Sequence, residues 1–151
     1  MKTGIREQGS GVRLSDEELQ TLCRQWQAVL RLEHIDVHVR YAQKLEMEEW
    51  GHTQRGPDST WADIVICPPE LVNFDTHTRT DPELTLIHEL LHVREEWDCE
   101  PKWQELKDKK LNPTVYKMHE RGIERTAQAL LLLKRLIPEP CSLFPTSGAS
   151  Q

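Results

Sequence analysis

The chain holds one run of side chains with obvious chemical potential, His88-Glu89-Leu90-Leu91-His92, a match to H-E-x-x-H. On a helix, residues four apart lie one above the other, so both imidazoles reach a single ion at about 2.0–2.1 Å. Glu89 is rotated by about 100° from His88 at 3.6 residues per turn, which stands it beside the ion as an acceptor for a proton from water. The chemistry implied is metal-assisted hydrolysis with Zn2+ as cofactor, His88 and His92 as ligands and Glu89 as general base.

The motif must sit on a helix, and the flanking sequence supplies one. Asp81-Pro82-Glu83 combines an N-cap acid with proline at the first helical position. The helix should run to Trp97 or Asp98, with Leu84, Leu86, Ile87, Leu90, Leu91 and Val93 around most of its circumference. Two histidines and a carboxylate in so apolar a helix are costly without a strong partner, and a metal is one.

A catalytic zinc site needs a third protein ligand, leaving the fourth position for water. Three residues compete: Asp98, six residues after His92, and the adjacent pair His119 and Glu120 near the start of the last helix. Asp98 has the spacing used by zinc hydrolases whose third ligand follows a glycine turn, but Glu95 occupies the turn position. Helical phase does not separate the other two. His119 lies nearer the apolar centre of its face and Glu120 at the edge.

Other elements read as scaffold. Ser15 and Glu18 form a capping box, Leu14 and Leu19 a hydrophobic staple, for a helix over residues 16–32 that buries Leu19, Leu22, Cys23, Trp26, Val29 and Leu30. Ile35, Val37, Val39 and Tyr41 alternate with polar residues, including His38, as in a half-buried strand. A weaker strand is expected over 44–50, then a loop over 51–59 around Gly56-Pro57-Asp58, then a strand over 61–67 buried on both faces. A short helix is expected around 103–106, and a last helix from Asn112-Pro113 to Ile137, ended by Pro138 and Pro140. Gly122 inside it costs about 1 kcal/mol relative to alanine, which fits either close approach to the histidine helix or loose packing.

The domain organisation that follows is a disordered N-terminus over 1–13, one catalytic domain over 14–137, and a disordered tail over 138–151, with no internal repeat. The charge of -6 gives no footprint for a phosphate backbone, so no nucleic-acid partner is expected. No apolar run approaches the roughly 20 residues that span a bilayer, so no membrane is expected either. Residues 1–13 lack the apolar stretch of a secretory signal, which points to the cytoplasm. In that compartment Cys23, Cys67, Cys99 and Cys141, with no C-x-x-C pair among them, read as free thiols.

From 62 to 133 the chain resembles the compact zinc metallopeptidases of bacteriophage and prophage genomes, and more distantly the gluzincins, of which thermolysin is a member. The resemblance rests on Ala62-Asp63-Ile64-Val65-Ile66, on Thr85-Leu86-Ile87 leading into the motif, and on His119-Glu120 through Glu124-Arg125-Thr126-Ala127. It implies an α+β, minimal zincin-like domain: an N-terminal helix, a small, mostly antiparallel sheet of three to four strands, the motif helix, and a C-terminal helix carrying the third ligand. That ligand is then Glu120. Glu124, four residues on, is the acid that supports a ligand histidine, although thermolysin-like enzymes carry Asp there. Tyr116 is the side chain that would donate to a developing oxyanion. The substrate is a peptide or protein in a bacterial host cell, laid along the strand over 61–67 or its neighbour.

Two other classes compete. Endoribonucleases that mature ribosomal RNA use a histidine pair at this spacing, but with a third histidine at the position of Asp98 and glycine at that of Glu89. A non-catalytic module in which zinc clips two helices together has no need of Glu89. Oligomeric state and substrate identity are not written in the sequence.

Overall fold

The computed structural model describes residues 13–43, 49–57, 60–69, 81–98 and 108–137, with side chains in the fourth stretch described to residue 95. The first helix, α1 (Asp16–Leu30), opens with the expected capping box: Ser15 Oγ accepts from the Glu18 amide at 3.2 Å and Glu18 Oε2 from the Ser15 amide at 2.7 Å. It ends two residues earlier than expected because Arg31 turns left-handed, at φ 61°. That turn swings Leu32 back into the core instead of continuing the helix.

Strand β1 (Asp36–Tyr41) buries Val37, Val39 and Tyr41 and exposes the alternate positions, His38 among them. Its outer edge is occupied by a side chain from α1. Gln20 donates to the Val37 carbonyl at 2.9 Å and accepts from the Val39 amide at 3.0 Å, so part of the open edge is satisfied. Gln27 does the same for the connection, donating to the carbonyls of Leu32 and Ile35 at 3.1 and 2.8 Å.

The second strand corrects the sequence reading. β2 is Gly51–Arg55, inside the stretch expected to be a loop; of the strand expected before it, 44–48 lie outside the described residues and Glu49-Trp50 form a bend. Gly-His-Thr-Gln-Arg shows no apolar alternation because its inward positions, Gly51 and Thr53, face Glu89 rather than the oily core. The turn after it was legible. Gly56 lies against the indole of Trp61, which a side chain there would strike at 2.3 Å.

β3 (Trp61–Ile66) pairs parallel with β1 and antiparallel with β2, giving the order β1-β3-β2. The sheet is therefore mixed, one pairing of each kind. β3 is the central strand, with Ala62, Ile64 and Ile66 buried on one face, while Asp63 on the other is exposed. Burial on both faces does not hold. Neither edge of β3 is open to a substrate, so only its neighbours can take one.

Helix α2 (Pro82–Asp98) starts where expected. Asp81 Oδ1 accepts from the amides of Glu83 and Leu84 at 3.0 and 3.4 Å, and Leu86, Ile87, Leu90, Leu91 and Val93 are all buried. The last helix, α3 (Pro113–Leu136), runs antiparallel to α2: Lys134 and Arg135 at its end bind Glu83 and Asp81 at the start of α2. Glu83 also accepts from the Trp26 indole at 2.8 Å, which joins all three helices at one point. The architecture is the expected α+β, with an N-terminal helix, a three-stranded sheet and two helices behind it. The expected helix at 103–106 and both termini lie outside the described residues. No described helix is long and apolar enough to cross a membrane.

Cys23 and Cys67 form no disulfide and are buried, while Cys99 and Cys141 lie outside the described residues. Burial pushes the Cys23 thiol up to about 12. In the native protein at pH 8 Cys23 should resist alkylation, and react fully once unfolded, as read by peptide mass mapping. The folded pKa is raised above the thiol's ordinary value of 9.0, so this contribution to stability is complete below pH 9.0 and is lost as pH rises towards about 12.

Candidate metal centre

One turn of α2 aligns His88 and His92, and the antiparallel packing of α3 brings Glu120 opposite both. The two Nε2 atoms are 3.1 Å apart; Glu120 Oε2 is 3.4 Å from His88 Nε2 and its Oε1 3.5 Å from His92 Nε2. Bonds of about 2.0–2.1 Å at a tetrahedral angle put neighbouring donor atoms about 3.3 Å apart. The separation of the two Nε2 atoms is close to that edge length, each Glu120 oxygen faces one of the two imidazoles, and these three residues are a group able to hold one metal ion.

His88 Nδ1 lies 3.2 Å from Glu124 Oε2, so this nitrogen carries the hydrogen and donates it. In the neutral ring Nε2 is then a bare lone pair, facing a carboxylate and a second imidazole. Three acceptors converging at such distances repel one another unless a cation lies among them.

Without a metal, protons take that role. Burial opposes a charged His92, yet the hydrogen bond and charge of Glu120, with the charges of Glu89 and Glu95, outweigh it and raise its pKa. Burial likewise works to raise Glu120, but the hydrogen bonds and charges of His88 and His92 reverse this and hold its carboxyl well below the usual carboxylate range. Glu120 is thus an anion at every ordinary pH, the form in which it binds a metal.

Glu89 is buried, 6% exposed, and is not one of the three donors. Its Oε2 accepts from Thr53 Oγ1 at 2.7 Å, and a Cβ on Gly51 would sit 2.5 Å from its Oε1. The start of β2 therefore acts as a wall that fixes the carboxylate, while its charge is felt at both His92 and Tyr116. Thr53 and Gly51 were not singled out in the sequence. Neither type carries a ligand signature, and their strand was itself unrecognised.

The remaining candidates separate clearly. His119 Nε2 is 2.8 Å from Glu95 Oε2 and is turned to that partner. The side chain of Asp98 lies outside the described residues, though α2 does continue past Glu95 as expected. Tyr116 is near the site: burial first, then the charge of Glu120, a weaker push from Glu49, and a hydrogen bond to Glu120 raise its phenol above the ordinary value. Gly122 does not mark a close approach. It is exposed, and a Cβ there would meet nothing within 4 Å.

Compared with protein-family models, with curated proteins and with solved structures, the chain matches none. The site therefore rests on its own geometry.

Because Glu124 fixes the His88 tautomer without touching the donor centre, Glu124→Gln should retain metal binding but weaken it by about 10–100-fold. His119→Ala should still bind the metal and lose less affinity than Glu120→Ala, because its Nε2 is turned to Glu95, although its ring packs edge-on against that of His92 at 6.0 Å. Competition titration against a zinc chelator checks both. Binding should also fall with falling pH, because protons compete for the imidazole lone pairs.

Proposed function

We propose that the chain is a zinc metallopeptidase, a hydrolase acting on a peptide or protein, with Zn2+ held by His88, His92 and Glu120. The observation that carries this reading is Glu89: a buried carboxylate next to the donor triad, held by Thr53 and pressed by Gly51, yet not itself one of the three donors. A site that only bound metal would have no use for it. Bound at the triad, zinc would supply a Lewis acid and a water with pKa lowered towards about 7.

In this mechanism Glu89 takes a proton from the attacking water and returns it to the leaving amine. Glu124 keeps His88 in the ligating tautomer, and Tyr116, close to Glu120, is the donor for the developing oxyanion. The substrate lies as an extended strand against β2, which is an edge of the sheet among the described residues and begins against Glu89.

A second reading, zinc as a clip between helices, draws support from the ligands coming from both α2 and α3. The two readings part at Glu89→Gln. Under catalysis the variant keeps fold and metal, and loses on the order of 10²–10⁴ in hydrolysis of a fluorogenic peptide library. Under the clip reading wild type and variant are alike, both inactive. Gly51→Ala should lower kcat with metal content unchanged, by displacing the Glu89 carboxylate.

A further inference from the structure

Helix α3 presents two faces of different character. Ile123, Ala127 and Leu131 are buried, and Glu120 and Glu124 turn to α2. On the opposite face Val115, Met118, Leu132 and Leu136 are exposed, Met118 to 68% and Leu136 to 67%. Gly122 and Ala129 are exposed in line with them. With Arg125 these residues follow one another by alternate steps of three and four. Scattered exposed apolar residues are ordinary on a protein surface. An exposed row with a period of about 3.5 is the seam along which one helix meets another.

The charge on this face is equally one-sided. Both carboxylates of α3, Glu120 and Glu124, point inward at the metal centre, so its exposed residues include no acid. Lys117, Arg121 and Arg125 are all exposed, on a chain whose net charge is -6. A basic, apolar face on an acidic protein is complementary to an acidic partner.

A second copy of the chain fits poorly, because Arg125 lies at the middle of the row and would face its own counterpart. A lipid surface fits poorly too. Gly122 and Ala129 offer it little apolar area, whereas open space at Gly122 lets a helix backbone or a bulky side chain come close. We propose that the outer face of α3 docks an amphipathic helix of another protein, its apolar seam on Val115 to Leu136 and its carboxylates on Arg121 beside the row and on Arg125 within it. The metal centre lies on the opposite side of α3, so docking leaves it free and is independent of whether the site is catalytic.

The test uses the full chain and a designed helical peptide, leucine at its seam positions and glutamate beside them, followed by fluorescence anisotropy. Binding should be lost on the order of tenfold or more in Arg121→Glu/Arg125→Glu and in Met118→Glu, with circular dichroism unchanged because all three side chains are exposed. A lysine-flanked version of the peptide should bind the charge-reversed variant and not the wild type. Failure of the glutamate peptide to bind, or binding that ignores these substitutions, overturns the proposal. So does a stable dimer in sedimentation that Met118→Glu dissociates, which would make the occupant a second copy. Binding to phosphatidylglycerol vesicles, abolished by the same variants while the peptide does not bind, would make it a lipid surface and overturn the proposal as well.

Discussion

A helix that is buried on most sides cannot carry polar groups cheaply, and α2 carries three of them within five residues. His88 and Glu89 are 7% and 6% exposed among leucines and isoleucines that are wholly enclosed. Each needs a partner, and each partner fixes part of the surrounding structure. His88 requires Glu124 on one nitrogen and Glu120 on the other, which sets the position and phase of α3. Glu89 requires Thr53 and the bare backbone at Gly51, which sets where β2 begins. Of the ion-paired ends of the α2–α3 pair, Asp81 with Arg135 is exposed enough to contribute only about 0–1 kcal/mol, while Glu83 with Lys134 is half-buried and shares Glu83 with the Trp26 indole. Packing and polar satisfaction around the buried turn do more to hold the helices in register.

From this constraint the division of labour among the carboxylates follows. Glu120 meets both histidines and is kept ionised by them; Glu124 meets the far nitrogen of His88 with one oxygen and accepts from Gln128 with the other; Glu89 is held by a threonine. The three carboxylates differ in their partners although all three are the same residue type, and the proposed hydrolytic reading assigns them ligand, orienter and base on that difference.

Much of this was legible in sequence where a signal is local. The capping box at Ser15, the Asp81-Pro82 start, the Asn112-Pro113 start and the alternation over β1 each declare themselves within a few residues, because caps and periodicity are short-range physics. The histidine pair is legible for the same reason. Its third partner is not: Glu120 and His119 are adjacent, and which one turns inward depends on how α3 rolls against α2 and on Glu95 being available to take His119. β2 escaped notice because its inward residues serve Glu89 instead of the core, so the usual apolar alternation is missing. The sheet's mixed order was hidden as well, since nothing local to 61–66 says that both neighbours will pair with it.

The claim on which the account stands is that His88, His92 and Glu120 close around one ion. Elemental analysis of untagged protein, purified without added metal and again after zinc is offered and excess removed, compares wild type with Glu120→Ala. The account predicts about one zinc per chain in the wild type and a large loss in the variant, with the fold intact by circular dichroism. Full zinc retention in the variant, or a wild type that takes up none, would contradict it.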